Sequence, residues 1–332
     1  MNGRLLVLNC HEAWVYQLRL LDMPMDIVVD LPGRHTAGWD EGMRPVPPRS
    51  RLVTLRQVLA AQPCYDCIVA HNLTDLLDVK TLPGPRMLVI HIALPGVILE
   101  QSARTRPEEL RDAVKHFTHK IGAHVVAVSA MKGASWGFGE HVVPFVVDPT
   151  DYLPWLGDLP LGLRVSNYVL RRARTLLWDF HEQAFGGVPM TIVGHNPELP
   201  GARASRDWNE LKRTMSRHRF FVHTARPDLE DGYNMATAEA MAAGLPVLGN
   251  CHPSSPVIHG VNGFLSDDAA QLGEFARRLL ADRELAAEMG RAAQRTAADK
   301  FSAQTFRAAM RGAIGAAQEK WRVKSDLLRV TA

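Results

Sequence analysis

Short apolar runs, separated by longer stretches with helical spacing, organise this chain from end to end. In the first half the runs fall at residues 5–8, 27–29, 67–70, 87–90 and 125–128, each of strand length and rich in branched side chains. Helical stretches such as 55–61 and 107–121 lie between them. Continuous apolar strands alternating with helices predict an open, mainly parallel sheet with helices on its faces. Ligands of such sheets bind beyond the carboxyl ends of the strands, which singles out Asn9, Cys10, His11 and Glu12, then His71 and Asn72, His91 and Ser129.

After a linker at 151–162 that contains Pro154 and Pro160, the alternation restarts. A strand at 163–166, an amphipathic helix at 174–185 and a strand at 190–193 lead into Gly194-His195-Asn196-Pro197. A strand at 220–223, a polar loop, a helix at 235–243 and a strand at 247–249 follow, with Gly244 suited to a left-handed helix stop and Pro246 barring continuation. Beyond Asp267 the chain reads as helices at 269–281, 284–299 and 303 to about 321.

The stretch 220–265 is chemically the richest. A helix that opens on Asp231-Gly232-Tyr233-Asn234 offers backbone N–H groups and the positive end of its dipole, and Gly232 permits close approach, so phosphate oxygens suit it. Glu239, two turns further on in a helix of Ala and Met, is a carboxylate in need of a partner. The plainer roles stay open: Asp231 as a helix cap, and Gly244-Leu245-Pro246 as a helix-to-strand connection.

The 332 residues suffice for two domains, and 46% apolar with 22% charged content is that of a globular protein. A net charge of +3 does not by itself imply nucleic acid. No stretch has transmembrane length, and the opening residues are too polar for a signal peptide, so a cytoplasmic enzyme is the expectation. Four scattered cysteines, Cys10, Cys64, Cys67 and Cys251, exclude a disulfide framework; Cys64 and Cys67 have metal or redox spacing but no second pair, which favours free thiols. His116, His119 and His124 lack a convergent ligand and read as a solvated face.

The segment from Asp231 to Val247 resembles the donor-binding signature of the group 1 glycosyltransferases, family four-like retaining enzymes of GT-B fold. Asp231, Gly232, Tyr233 and Asn234 stand where that family has Glu-Gly-Phe-Gly. Glu239, Ala240, Met241, Ala242, Gly244, Pro246 and Val247 match its Glu-Ala-Met-Ala-x-Gly-x-Pro-Val. The resemblance implies that Glu239 holds the ribose hydroxyls of a nucleotide sugar, and that Asp231, shorter by one methylene than the family Glu, meets the sugar with the loop amides of Gly232, Tyr233 and Asn234. Met87 to His91 is similar to the family strand ending in a His, and Val143 to Asp148 to the segment closing its first domain. His91 would then donate a hydrogen bond to sugar or acceptor, though a strand-ending His also serves structure alone. Gly194 falls in a turn similar to Val-Gly-x-Gly-Pro, while Arg171 or Arg172 takes the place of the Lys that neutralises the diphosphate. Gly260 to Leu265 matches a family turn, whereas His252-Pro-Ser-Ser-Pro256 departs from Gly-Gly-x-x-Glu.

The implied architecture is α/β: two Rossmann-like domains facing across a cleft, residues 1–150 for the acceptor and 163–302 for the nucleotide-sugar donor, with 303–332 crossing back to the first domain. Asn9, His11, His71 and Arg44 are the acceptor-side candidates. The long loop at 31–52, with Arg34, His35, Arg44, Arg49 and Arg51, is either an acceptor-binding device for acidic groups or a solvated loop. Its basic counterpart at 320–329 is either a peripheral contact with an anionic membrane face or a frayed tail. The implied activity is hexosyl transfer with retention to an acceptor such as a glycan, a lipid-linked glycan or a small molecule. No Asp-x-Asp pair suits a metal-diphosphate bridge, so neither metal nor other cofactor is expected. The rivals are an epimerase or phosphorylase of the same fold, and a non-catalytic nucleotide-sugar-binding scaffold.

Overall fold

The computed structural model describes residues 3–31, 38–100 and 105–330, with backbone alone for 327–330. Two compact units emerge: Met1–Leu94 with Ala103–Pro144 and Gln304–Ala332, and Pro95–Ser102 with Phe145–Ala303.

In the first unit, strands β1 (Leu5–Leu8), β2 (Met25–Val29), β3 (Ser50–Thr54), β4 (Cys67–Ala70), β5 (Arg86–Ile90) and β6 (His124–Ala127) are all parallel. Their order is β3-β2-β1-β4-β5-β6. Every residue of β1, β4 and β6 is buried, because helices cover both faces and leave no place for an alternating polar position. Leu6, Leu8, Val28 and Ile68 pack on one face with Tyr65 and Leu82.

Strand β3 corrects the expectation of a loop running to residue 52. Its residues are half-buried or exposed, so the apolar signal of an inner strand is missing. A buried carboxylate holds it instead. Arg51 is the register partner of Asp26 on β2 and donates to both of its oxygens, at 2.8 and 2.9 Å. Tyr65 adds a third bond at 2.9 Å, and Arg4 a fourth. Burial pushes the Asp26 carboxyl pKa up, and these donors together bring it below its ordinary value.

The last helix, Ala303–Val330, also runs further than expected. No Gly or Pro interrupts residues 316–330, and Arg322 pairs with Glu319 and Asp326 one turn to either side. It docks on the first unit: Arg307 donates to the Leu20 carbonyl (2.9 Å), Gln318 to that of Asp66 (3.3 Å) and Lys324 to that of Lys120 (2.6 Å). Lys324 is thus part of a packed helix rather than of a frayed tail.

The second unit has strands β7 (Leu159–Val165), β8 (Met190–Val193), β9 (His218–Val222), β10 (Val247–Gly249) and β11 (Gly263–Leu265), again parallel, in the order β11-β10-β9-β7-β8. Phe220, Val222, Leu248 and Phe264 meet Leu272, Ala276 and Leu279 of helix Ala269–Ala281. The helix expected from residue 174 begins at Trp178. Leu177 is left-handed (φ 49°), and the Leu176 carbonyl accepts from Thr224 Oγ1 (2.6 Å) and Arg164 Nη2 (3.3 Å), which serves it outside a helix. Helix Trp208–Arg217 was not foreseen; Asp207 caps it by accepting from the Glu210 N–H. Among the described residues no helix is long and apolar enough to cross a membrane.

Candidate functional site

Both strand orders reverse direction, between β1 and β4 in the first unit and between β7 and β9 in the second. Crevices beyond the carboxyl ends at such reversals are where open α/β sheets bind ligands.

In the second unit the loop after β9 is built around Glu230, a residue the sequence did not single out. Its carboxylate accepts from the Asp231 N–H (3.0 Å) and from Arg172 Nη2 (3.1 Å). Its carbonyl accepts from His252 Nε2 at 2.9 Å. The Ser254 N–H donates to His252 Nδ1 (3.1 Å), which puts the ring proton on Nε2, and burial lowers the pKa of this imidazole. Asp231 is buried; its carbonyl meets His223 Nε2 (3.2 Å) and its carboxylate the Ser254 hydroxyl (3.3 Å).

The helix that follows, Met235–Ala242, is capped by Asn234 and not by Asp231. Asn234 Oδ1 accepts from the Thr237 N–H (2.8 Å), and Thr237 Oγ1 from the Asn234 N–H (3.3 Å). The Gly232 N–H donates to Ser254 Oγ (2.9 Å), so this amide of the anticipated phosphate cradle is engaged within the protein. A Cβ on Gly232 would come within 2.7 Å of the His252 ring, which is why a glycine stands there. Glu239 is buried on this helix. Tyr233 packs between Phe145 and Phe301, with Lys300 Nζ 5.5 Å from its ring centroid, and burial with Asp231 and Glu230 pushes its hydroxyl up to about 12. Its ring is core rather than a presented contact.

The two arginines separate. Arg171 is exposed, pairs with Glu198 (3.2 Å) and lies over Tyr168. Arg172 bridges Glu100 (2.8 Å) and Glu230 (3.1 Å). Burial acts to lower its pKa, and the two carboxylates outweigh that and raise it. Gly194 follows β8 at φ 138°, and a Cβ there would fall 2.2 Å from the Ser166 carbonyl oxygen. Asn196 then ties the loops after β7 and β8, donating to the Ser166 carbonyl and accepting from the Val169 N–H, both at 2.8 Å. Also unforeseen is Arg164, buried in β7, which bonds Thr224 (2.9 Å) and His181 (3.0 Å); burial and then Arg172 bring its pKa down to about 9.

In the first unit the strand ends bring together Cys10 after β1, His71 after β4 and His91 after β5. His71 Nδ1 and His91 Nε2 are 2.9 Å apart, and Trp14 sets its ring edge-on against both, with centroids at 4.8 and 5.2 Å. One donor atom from each of Cys10, His71 and His91 lies within 4.8 Å of the others. Burial, then His11, lowers His71 to about 3; burial also lowers His91 and raises the Cys10 thiol. Asn9 Nδ2 donates to the Gly38 carbonyl (2.8 Å). His11 caps helix Glu12–Gln17 by accepting from the Trp14 N–H. Of the long loop's cations, Arg44 is buried beside His11, Arg49 is tied to Asp22 (3.1 Å) and Arg51 to Asp26. Arg34 and His35 lie outside the described residues.

Residues 171–310, a span that takes in Arg171, Arg172, Gly194, Asp231 and Glu239, match a family model described as glycosyl transferase-like. Over that span, less than half of the chain, the sequence is similar to glycosyl transferases. A search of curated proteins gave no significant match. Among solved structures the chain resembles HepE from Anabaena, in complex with UDP and glucose, at 16% identity and TM-score 0.65 over 94% of this chain and 99% of that one. Sucrose-phosphate synthase from Thermosynechococcus elongatus is similar at 14% identity and TM-score 0.62, covering 99% and 100%. TarM, at 13% identity and TM-score 0.59, covers 78% of this chain, which spans only 57% of TarM. The architecture shared with these structures is GT-B, two Rossmann-like domains.

Proposed function

We propose that this protein transfers a hexose from a nucleotide-diphosphate sugar to an acceptor, with retention at the anomeric carbon. The observation that carries the reading is the loop and helix from Asp231 to Glu239, placed after β9 at the reversal of the second sheet and inside the matched span. Glu239 serves the ribose, and Asp231 the sugar. Arg172 and the N-terminus of helix Met235–Ala242 offset the charge that the leaving diphosphate gains, without a metal bridge. The acceptor hydroxyl attacks from the face the diphosphate leaves: the new C–O bond forms as the sugar–phosphate bond breaks, and the hydroxyl proton passes to the departing phosphate oxygen. Asn9, His11, Arg44, His71 and His91 form the polar end of the acceptor unit.

The decisive experiment is a thermal-shift panel of UDP-, GDP- and dTDP-sugars, with Glu239→Ala as the control. One nucleotide series should stabilise the protein, and Glu239→Ala should lose that effect; full retention of donor affinity would remove Glu239 from the ribose. A strict Mg²⁺ or Mn²⁺ requirement for turnover would sink the metal-free treatment of the diphosphate. The pairing of Arg172 with two carboxylates favours a second reading, a nucleotide-sugar-binding protein without turnover. Slow hydrolysis of the bound donor would exclude that reading, and isomerised donor without glycosylated acceptor would identify an epimerase.

A further inference from the structure

We propose that Cys10, His71 and His91 bind a single zinc ion at the carboxyl end of the first unit's sheet. The three residues follow β1, β4 and β5, which are neighbours in the sheet, so the topology itself converges them. Their donor atoms lie within 4.8 Å of one another, close enough for one ion to gather them with small side-chain rotations. One thiolate and two imidazoles are a zinc donor set, borderline-soft and tetrahedral, and three protein ligands leave a fourth position for an oxygen.

The surroundings fit a metal better than a plain hydrogen-bonded pair. His71 Nε2 is buried without a hydrogen-bond partner among the described residues, a costly arrangement that a ligand would resolve. The His71 backbone N–H donates to the Asp75 carboxylate (2.9 Å), which fixes the chain at that position, and the Trp14 ring lies edge-on to both imidazoles. Zinc takes Cys10 as the thiolate, so the S–H bond breaks as the S–Zn bond forms and the proton leaves to solvent. A zinc ion here departs from the expectation that the chain binds no metal, which rested on the lack of an Asp-x-Asp pair for the diphosphate. Its use as a Lewis acid toward an acceptor oxygen rests on the transferase reading, whereas zinc binding does not.

The test is titration of the whole chain with Co²⁺ in place of Zn²⁺, read by the thiolate-to-cobalt charge-transfer band, with zinc affinity measured by chelator competition. About one ion per chain should bind, with the band and intense tetrahedral d–d transitions. Cys10→Ser should abolish the band, and Cys10→Ser, His71→Gln and His91→Gln should each weaken zinc by about a hundredfold or more. Cys64→Ser, at an exposed thiol, should keep both properties. Circular dichroism establishes that each variant is folded, and the Co²⁺ spectrum of the unaltered chain decides the matter should one fail to fold. No thiolate band, or a band lost in Cys64→Ser and kept in Cys10→Ser, overturns the proposal. Absence of zinc with nucleotide stabilisation intact defeats this inference alone; zinc binding without any nucleotide response upholds it and defeats the donor reading.

Discussion

Arg172 donates to Glu230 across 3.1 Å, so a cation of the candidate donor site is already paired within the protein. A diphosphate must compete with that carboxylate and with Glu100. Glu230→Gln keeps an oxygen for the Asp231 N–H but removes the charge, and nucleotide-diphosphate affinity measured by calorimetry should rise roughly three- to tenfold. Arg172→Ala should lower it by about tenfold or more and flatten its salt dependence. Equal affinity in both variants would place the diphosphate elsewhere.

Gly194→Ala puts a Cβ 2.2 Å from the Ser166 carbonyl at a φ of 138°. The backbone must shift where Asn196 joins two loops. Urea unfolding should show a loss of roughly 2–4 kcal/mol, and a loss well under 1 kcal/mol would mean that the turn relaxes freely.

Acid should weaken the second unit through its buried histidines. Burial, then Arg164, lowers His223 to about 4 from an ordinary 6.5, so the unfolded chain takes up a proton that the folded chain refuses. The stabilisation is complete above pH 6.5 and is lost on acidification through the window down to about 4, at about 1.4 kcal/mol per pH unit for one group. His181, lowered to about 2 by burial and Arg164, steepens the slope. His223→Gln, which can still donate to the Asp231 carbonyl, should show a shallower dependence of unfolding free energy on pH. An unchanged slope would show that His223 does not govern it.

Asp26→Asn removes the charge that fastens β3 to β2. Arg51 and Arg4 lose their carboxylate, and stability should fall by about 3 kcal/mol. Hydrogen exchange at the amides of Ser50–Thr54 should accelerate before that of Leu5–Leu8. Uniform acceleration would mean that the pair stabilises the whole sheet rather than its edge.

Inner strands were legible because burial on both faces leaves only apolar residues, as in Leu5–Leu8 and Cys67–Ala70. Strand Ser50–Thr54 was not, since a charged pair and not a pattern holds it. Helix Trp208–Arg217 carried a legible Asp-x-x-Glu start, but too few apolar residues to draw notice. In the loop after β9 and the helix that follows, sequence spacing singled out Asp231 and Glu239. It passed over Glu230, whose role comes from Arg172 and His252 approaching it from distant segments. Arg171 and Arg172 differ only in which way an irregular turn sends them. Cys10, His71 and His91 were each marked as strand ends, yet their meeting depends on a strand order that no local pattern encodes.

The helix Ala303–Val330 gives this chain an unusual order of completion during synthesis. Strands β1 to β6 belong to a unit still waiting for Arg307, Gln318 and Lys324 to reach the Leu20, Asp66 and Lys120 carbonyls. Strands β7 to β11 of the second unit precede those residues in the chain, so they are made before the first unit can form these contacts.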